Sequence, residues 1–181
     1  LQASKRHDGV RLTLTNHKTG AIYLTHTNSK YYTRGDYTFT DVELGCYRLD
    51  AQDTVDLFYS PAQMDSFCVD IGEVRVLDTL HLLDQSKPRI ALSQVPNSLY
   101  TTRNVHLSGV FADSGSFIAL STVKATLDGN NISLTNPTQN NWSVDLQNLV
   151  DGRHLFVLSG SDSAGNVATP LQVQNLFAPL P

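Results

Sequence analysis

Glutamate is almost missing from this chain: Glu43 and Glu73 are the only two in 181 residues, beside one tryptophan, one methionine and two cysteines. A paired-carboxylate site of the glycosidase kind has no recognisable pattern here. The chain also lacks a nucleophile elbow, a zinc-binding His-Glu helix and a phosphate-cradling glycine loop. Its six histidines, His7, His17, His26, His81, His106 and His154, read as isolated residues in strands or turns. No catalytic residue and no cofactor is therefore expected, and the chain reads as something other than an enzyme. No apolar run approaches the roughly 20 residues of a membrane-spanning helix, so no membrane insertion is expected. No stretch gathers lysine or arginine into a stripe, and the net charge is −4, which excludes nucleic acid as an expected partner.

The composition that remains is 40% hydrophobic, 8% aromatic and 17% charged, which suits a β-rich chain with packed cores. Up to Asp84 there are 8 basic and 12 acidic residues, and beyond it 5 of each, a step that points to two units. Leu1 is not an initiator methionine and Met64 is the only methionine, so a segment covalently part of a larger exported protein is expected.

Period-two patterning dominates the first half. Val10, Leu12 and Leu14 alternate with Arg11, Thr13 and Thr15; after the turn Asn16–Gly20, Ile22 and Leu24 alternate with Tyr23 and Thr25, which predicts a hairpin with Tyr23 on the face opposite Ile22 and Leu24. Further runs are Tyr37 and Phe39, Val42 and Leu44, Tyr47 and Leu49, then Val55, Leu57 and Tyr59, with Glu73–Leu83 read as a last strand although its spacing also fits a helical stripe. The polar stretch Asp84–Pro88 reads as a linker, dividing the chain into domains 1–84 and 85–181. Beyond it, seven runs near 89–95, 104–110, 117–127, 131–134, 142–146, 154–160 and 167–176 have the spacing of a β sandwich. Asp128-Gly129 and Asp151-Gly152 supply the positive-φ residues of tight hairpins, and Trp142, in register with Val144 and Leu146, is the expected core aromatic. The expected fold class is all-β, as two consecutive sandwiches.

Cys46 and Cys68 fall in the first domain with no partner Cys or His at zinc spacing, so a disulfide is expected, with two buried free thiols as the alternative. Closing a loop of about 23 residues would add roughly 3 kcal/mol in the chain-entropy account.

In the second half, Val105–Gly109, Asp113, Val123–Gly129, Trp142–Leu146, Asp151–His154 and Ser161–Asn166 follow one another in an order that resembles the bacterial Ig-like domains repeated in surface adhesins and appended to secreted enzymes. The resemblance covers residues 88–176 and implies an exported spacer or binding module. In the first half, Val10–Leu14, Thr19-Gly20, Gly35–Val42 and Gly45–Leu49 are similar to the carboxypeptidase regulatory-like and collagen-adhesin B-type domains, implying a prealbumin-like sandwich. The Lys–Asn isopeptide bond of some such domains is not carried over, because the first strand offers Arg11 instead of lysine.

Four motifs invite a function. Arg34-Gly35-Asp36 could present a guanidinium and a carboxylate to an integrin, although Gly35 and Asp36 are also ordinary turn residues. Tyr23, Tyr31 and Tyr32, beside Tyr37, could stack on sugar rings, while Tyr37 shares its face with Phe39 and reads as core. Of the aspartates Asp8, Asp50, Asp53, Asp56, Asp113 and Asp162, none has EF-hand spacing; no metal is expected, and Asp113 and Asp162 are the calcium candidates. Asn131 and Asn141 head glycosylation sequons by pattern. The expectation is a non-catalytic accessory or adhesion segment, extracellular, at the cell surface or periplasmic, whose partner is an unknown protein or glycan; the alternative is a carbohydrate- or protein-binding module attached to a secreted hydrolase.

Overall fold

The computed structural model describes residues 9–27, 35–54, 57–93 and 103–178, with side chains described up to residue 174. The protein is all-β, with one 3-10 turn among the described residues, at Leu120–Thr122, and the chain divides into two compact units, Leu1–Gln85 and Ser86–Pro181.

The first unit is built on four antiparallel strands, β1 (Val10–Asn16), β2 (Ile22–His26), β3 (Gly45–Asp53) and β4 (Ala62–Val69), in the order β2-β1-β3-β4. Val10, Leu12 and Leu14 of β1 and Tyr47, Leu49 and Ala51 of β3 are buried on one face and form its core with Phe67 of β4. The hairpin turn closes on Asn16, whose Oδ1 accepts the amides of Lys18 at 2.9 Å and Thr19 at 3.1 Å.

Several sequence expectations are corrected in this unit. Leu14 pairs with Tyr23, so Tyr23 and Thr25 share the inner face with Leu12 and Leu14, while Ile22 and Leu24 face outward and are each 63% exposed. Both faces of β2 carry apolar residues, so only pairing with β1 could settle which faced the core. Residues 37–44 are irregular chain without ladder pairing; Tyr37, Phe39 and Val42 nevertheless pack on the core, while Leu44 is exposed. Leu57 is exposed with a left-handed backbone at φ 57° and joins no ladder, so the expected run at this point is not a strand. The fourth strand is instead β4, whose ladder with β3 slips between Tyr47 and Leu49, beside Ser66 at φ 59°. Glu73–Leu83 joins no sheet: Val74 and Val76 are exposed, whereas Leu77, Leu80 and Leu82 pack on the core.

The second unit is a sandwich of immunoglobulin-like arrangement. Strands β5 (Arg89–Leu92), β6 (Val105–Ala112) and β9 (Asn141–Leu146) form one sheet in the order β5-β6-β9. The other contains β7 (Lys124–Leu127), β8 (Asn130–Ile132), β10 (Gly152–Ser159) and β11 (Leu171–Ala178), ordered β11-β10-β7-β8. Alternate residues of both sheets meet inside: Val105, Leu107 and Phe111 with Trp142, Val144 and Leu146 from one, and Ala125, Phe156, Leu158 and Val173 from the other. Trp142 is the core aromatic, stacked on Phe156 with ring centroids 5.8 Å apart.

Asp128 and Gly129, at φ 51° and 82°, make the tight turn between β7 and β8. Asp151-Gly152 does not make one. Strands β9 and β10 lie in different sheets, so their connection crosses the sandwich, with Asn148 at φ 54° and Gly152 at φ 140° where β10 begins.

Candidate functional sites

Both calcium candidates lie at loops of the second unit. Asp162 is 2% exposed and organises the turn beyond β10: Oδ1 accepts the amides of Ala164 and Asn166 at 2.9 and 2.8 Å, and Oδ2 accepts the Asn166 side-chain amide at 2.8 Å. Asp113 follows β6; its Oδ2 accepts the Ser116 amide and its Oδ1 the Ser86 hydroxyl at 3.3 Å. Carboxylate oxygens of the two residues come within 4.8 Å of each other. Both carboxylates here already organise backbone amides.

Around the first-unit loops, Tyr31, Tyr32 and Arg34 lie outside the described residues. Gly35 has φ 70°, the turn conformation expected of it, and Asp36 is exposed. Tyr37 is packed edge-on to Phe39 at 6.2 Å, and burial raises its phenol pKa above the ordinary value. Tyr23 is also engaged. Its ring meets Tyr47 edge-on at 6.2 Å and its hydroxyl accepts the Glu43 amide at 3.0 Å; it lies on the face opposite Ile22 and Leu24, and that face is the inner one.

The disulfide between Cys46 and Cys68 is formed and spans adjacent strands. The two residues are direct register partners of β3 and β4, and both are exposed on the sheet face opposite Tyr47 and Phe67. Their separation of 22 residues is the hairpin itself.

Two histidines that read as isolated in the sequence are paired. His106 and Asp145 are register partners on β6 and β9, with Nδ1 and Oδ1 2.6 Å apart on the exposed face. His154, on β10, is 6% exposed and held at both ends: Nδ1 lies 2.7 Å from Asp128 Oδ2 and Nε2 lies 2.7 Å from the Val150 carbonyl. The carboxylate and the carbonyl can only accept, so two donors are required of the ring, which only the imidazolium supplies. Its pKa is accordingly raised, chiefly by the Asp128 hydrogen bond and then by the Val150 carbonyl, against the opposing effect of burial. Asp128 is lowered, first by His154 and then by the Leu155 amide, which donates to its Oδ1 at 2.8 Å. Asp128 is legible in the sequence as a turn residue; its second role depends on which strand the turn lies beside.

No helix among the described residues is long and apolar enough to cross a membrane. No family model matches the chain. A tyrosine–tRNA ligase from Kineococcus radiotolerans (strain ATCC BAA-149 / DSM 14245 / SRS30216) is 34% identical over 97 residues, covering 51% of this chain and 22% of the ligase, so the chain spans about a fifth of that protein. Among solved structures, the fibronectin(III)-like modules of Clostridium thermocellum CbhA are 16% identical, with 96% of this chain and 80% of theirs covered at a TM-score of 0.39. The Bacteroides ovatus mixed-linkage glucan utilization locus protein SGBP-B, solved with a mixed-linkage heptasaccharide, is also 16% identical, with 96% of this chain and 39% of that one covered at a TM-score of 0.29.

Proposed function

We propose that this chain is a non-catalytic accessory segment of a larger exported protein, spacing or presenting a neighbouring functional part outside the cell, at its surface or in the periplasm. The observation that carries this reading is that each unit closes on a core of its own, Leu12, Tyr47 and Leu49 in the first and Leu107, Trp142 and Phe156 in the second. Modules in series, each self-sufficient in burial, keep their shape whatever stands beside them. The disulfide supports an oxidising compartment, since such bonds are rare where thiols are kept reduced. As a spacer, the chain is expected to give background signal on a glycan array and in integrin-dependent cell attachment. Saturable sugar binding lost on replacing Tyr31 and Tyr32 by alanine, or attachment lost in Asp36→Glu, would overturn the reading.

One observation favours a second reading, a protein-binding module. Ile22 and Leu24 stand exposed on β2, an edge strand of its sheet. Saturable binding to one purified extracellular protein, abolished by Ile22→Ser with Leu24→Ser, would select it.

A further inference from the structure

The covalent bond of the first unit joins two strands that are already paired and lies on an exposed sheet face. The Cys46–Cys68 bridge joins residues that β3 and β4 already place opposite each other. On either side of it the ladder continues through Gly45 with Val69 and Tyr47 with Phe67, and beyond the bulge through Leu49 with Met64 and Ala51 with Ala62. The apolar anchors of this hairpin, Tyr47, Leu49 and Phe67, are buried on the opposite face and touch the core independently of the sulfurs. Both half-cystines are exposed. Exposed disulfides are the ones that exchange, because a thiolate must approach a sulfur directly.

We propose that Cys46–Cys68 is a thiol–disulfide exchange site for small-molecule thiols, opening and closing while the first unit stays folded. An external thiolate attacks one sulfur and forms a mixed disulfide with it. The Cys46–Cys68 bond breaks, its electron pair leaves on the other sulfur, and that thiolate takes a proton from water. A second thiolate then attacks the mixed disulfide at the external sulfur, releasing the oxidised small molecule and leaving two cysteine thiols; two electrons pass from two thiols to the protein. The reverse sequence, starting from the small-molecule disulfide, closes the bridge again. What holds the two sulfurs within reach between these events is the ladder, which is why closure needs no refolding.

The test uses the intact chain in glutathione and cysteine redox buffers without denaturant, quenched by alkylation and read by mass spectrometry at Cys46 and Cys68, with hydrogen exchange of the β3 and β4 amides followed in parallel. Opening is expected to be first order in thiol, a tenfold rise in concentration giving a tenfold rise in rate, with the strand amides still protected afterwards. Cys46→Ser and Cys68→Ser are each expected to accumulate a stable mixed disulfide on the remaining cysteine. A rate that levels off at the unfolding rate whatever the thiol concentration, or loss of amide protection on reduction, would overturn the proposal. Because single variants can misfold, Cys46→Ala with Cys68→Ala provides a separate check: it should keep the protected β3–β4 amides, and an unfolded first unit in that variant would equally overturn it. None of these outcomes depends on what the chain spaces or binds.

Discussion

At the scale of single residues, His154 ties charge to stability. A neutral imidazole has one N–H, so deprotonation leaves either Asp128 or the Val150 carbonyl facing a ring nitrogen without its proton. The raised pKa means that the contribution is fully present below the unfolded-state value of about 6.5 and fades as pH rises through the folded-state value. The lowered carboxyl of Asp128 works from the other side: its contribution is present above the ordinary aspartate value of about 3.9 and fades as pH falls through the folded value. The second unit is therefore expected to be most stable between those two ordinary values and to lose stability on the alkaline side, followed by thermal melts across pH with the His154 ring titrated by NMR. His154→Leu should remove the alkaline loss and cost about 1–3 kcal/mol, since it strands the Val150 carbonyl. An unchanged alkaline slope in that variant would contradict the assignment. The Asp128 and His154 pairing has no signature in spacing, because 26 residues separate the partners and the register of β10 beside β7 decides their meeting.

Strands and turns make the next scale, where Gly109 marks a close approach between strands. Gly109 sits in the central strand β6 opposite Trp142, and a Cβ added there would collide with the Ala91 carbonyl oxygen and lie 2.5 Å from the indole ring. The backbone oxygen cannot swing away, so Gly109→Ala should destabilise the second unit by about 1–3 kcal/mol or more through overpacking. Trp142→Ala should cost about 3–5 kcal/mol through the cavity it leaves against Phe156. Denaturant melts measure both, and a Gly109→Ala protein as stable as the parent would refute the close approach. The second unit was largely legible because its strands alternate cleanly and Asp128-Gly129 is an unambiguous turn. In the first unit Ile22, Tyr23 and Leu24 are apolar on both faces, and β4 hides its alternation behind a bulge at Ser66. Local pattern carries no information about which of two apolar faces a neighbouring strand will cover.

For the whole molecule, two separate cores lead to the expectation of two unfolding transitions, of which only the one belonging to the first unit responds to reductant. The reduced first unit should lose about 3 kcal/mol, the chain-entropy value for a loop of this length. Calorimetry with and without reductant measures it, and a shift of both transitions together would argue against separate cores. Composition and period-two alternation by themselves determined that the chain is all-β and where Trp142 stands, because burial on one face of a strand is written in every second residue. Only the tertiary structure decided that Tyr23 turns inward, that Asp113 and Asp162 approach each other, that His154 finds Asp128 and that the disulfide lies on an open face. Those outcomes depend on which strands become neighbours and in what register, and register is a property of pairs of segments, absent from either segment alone.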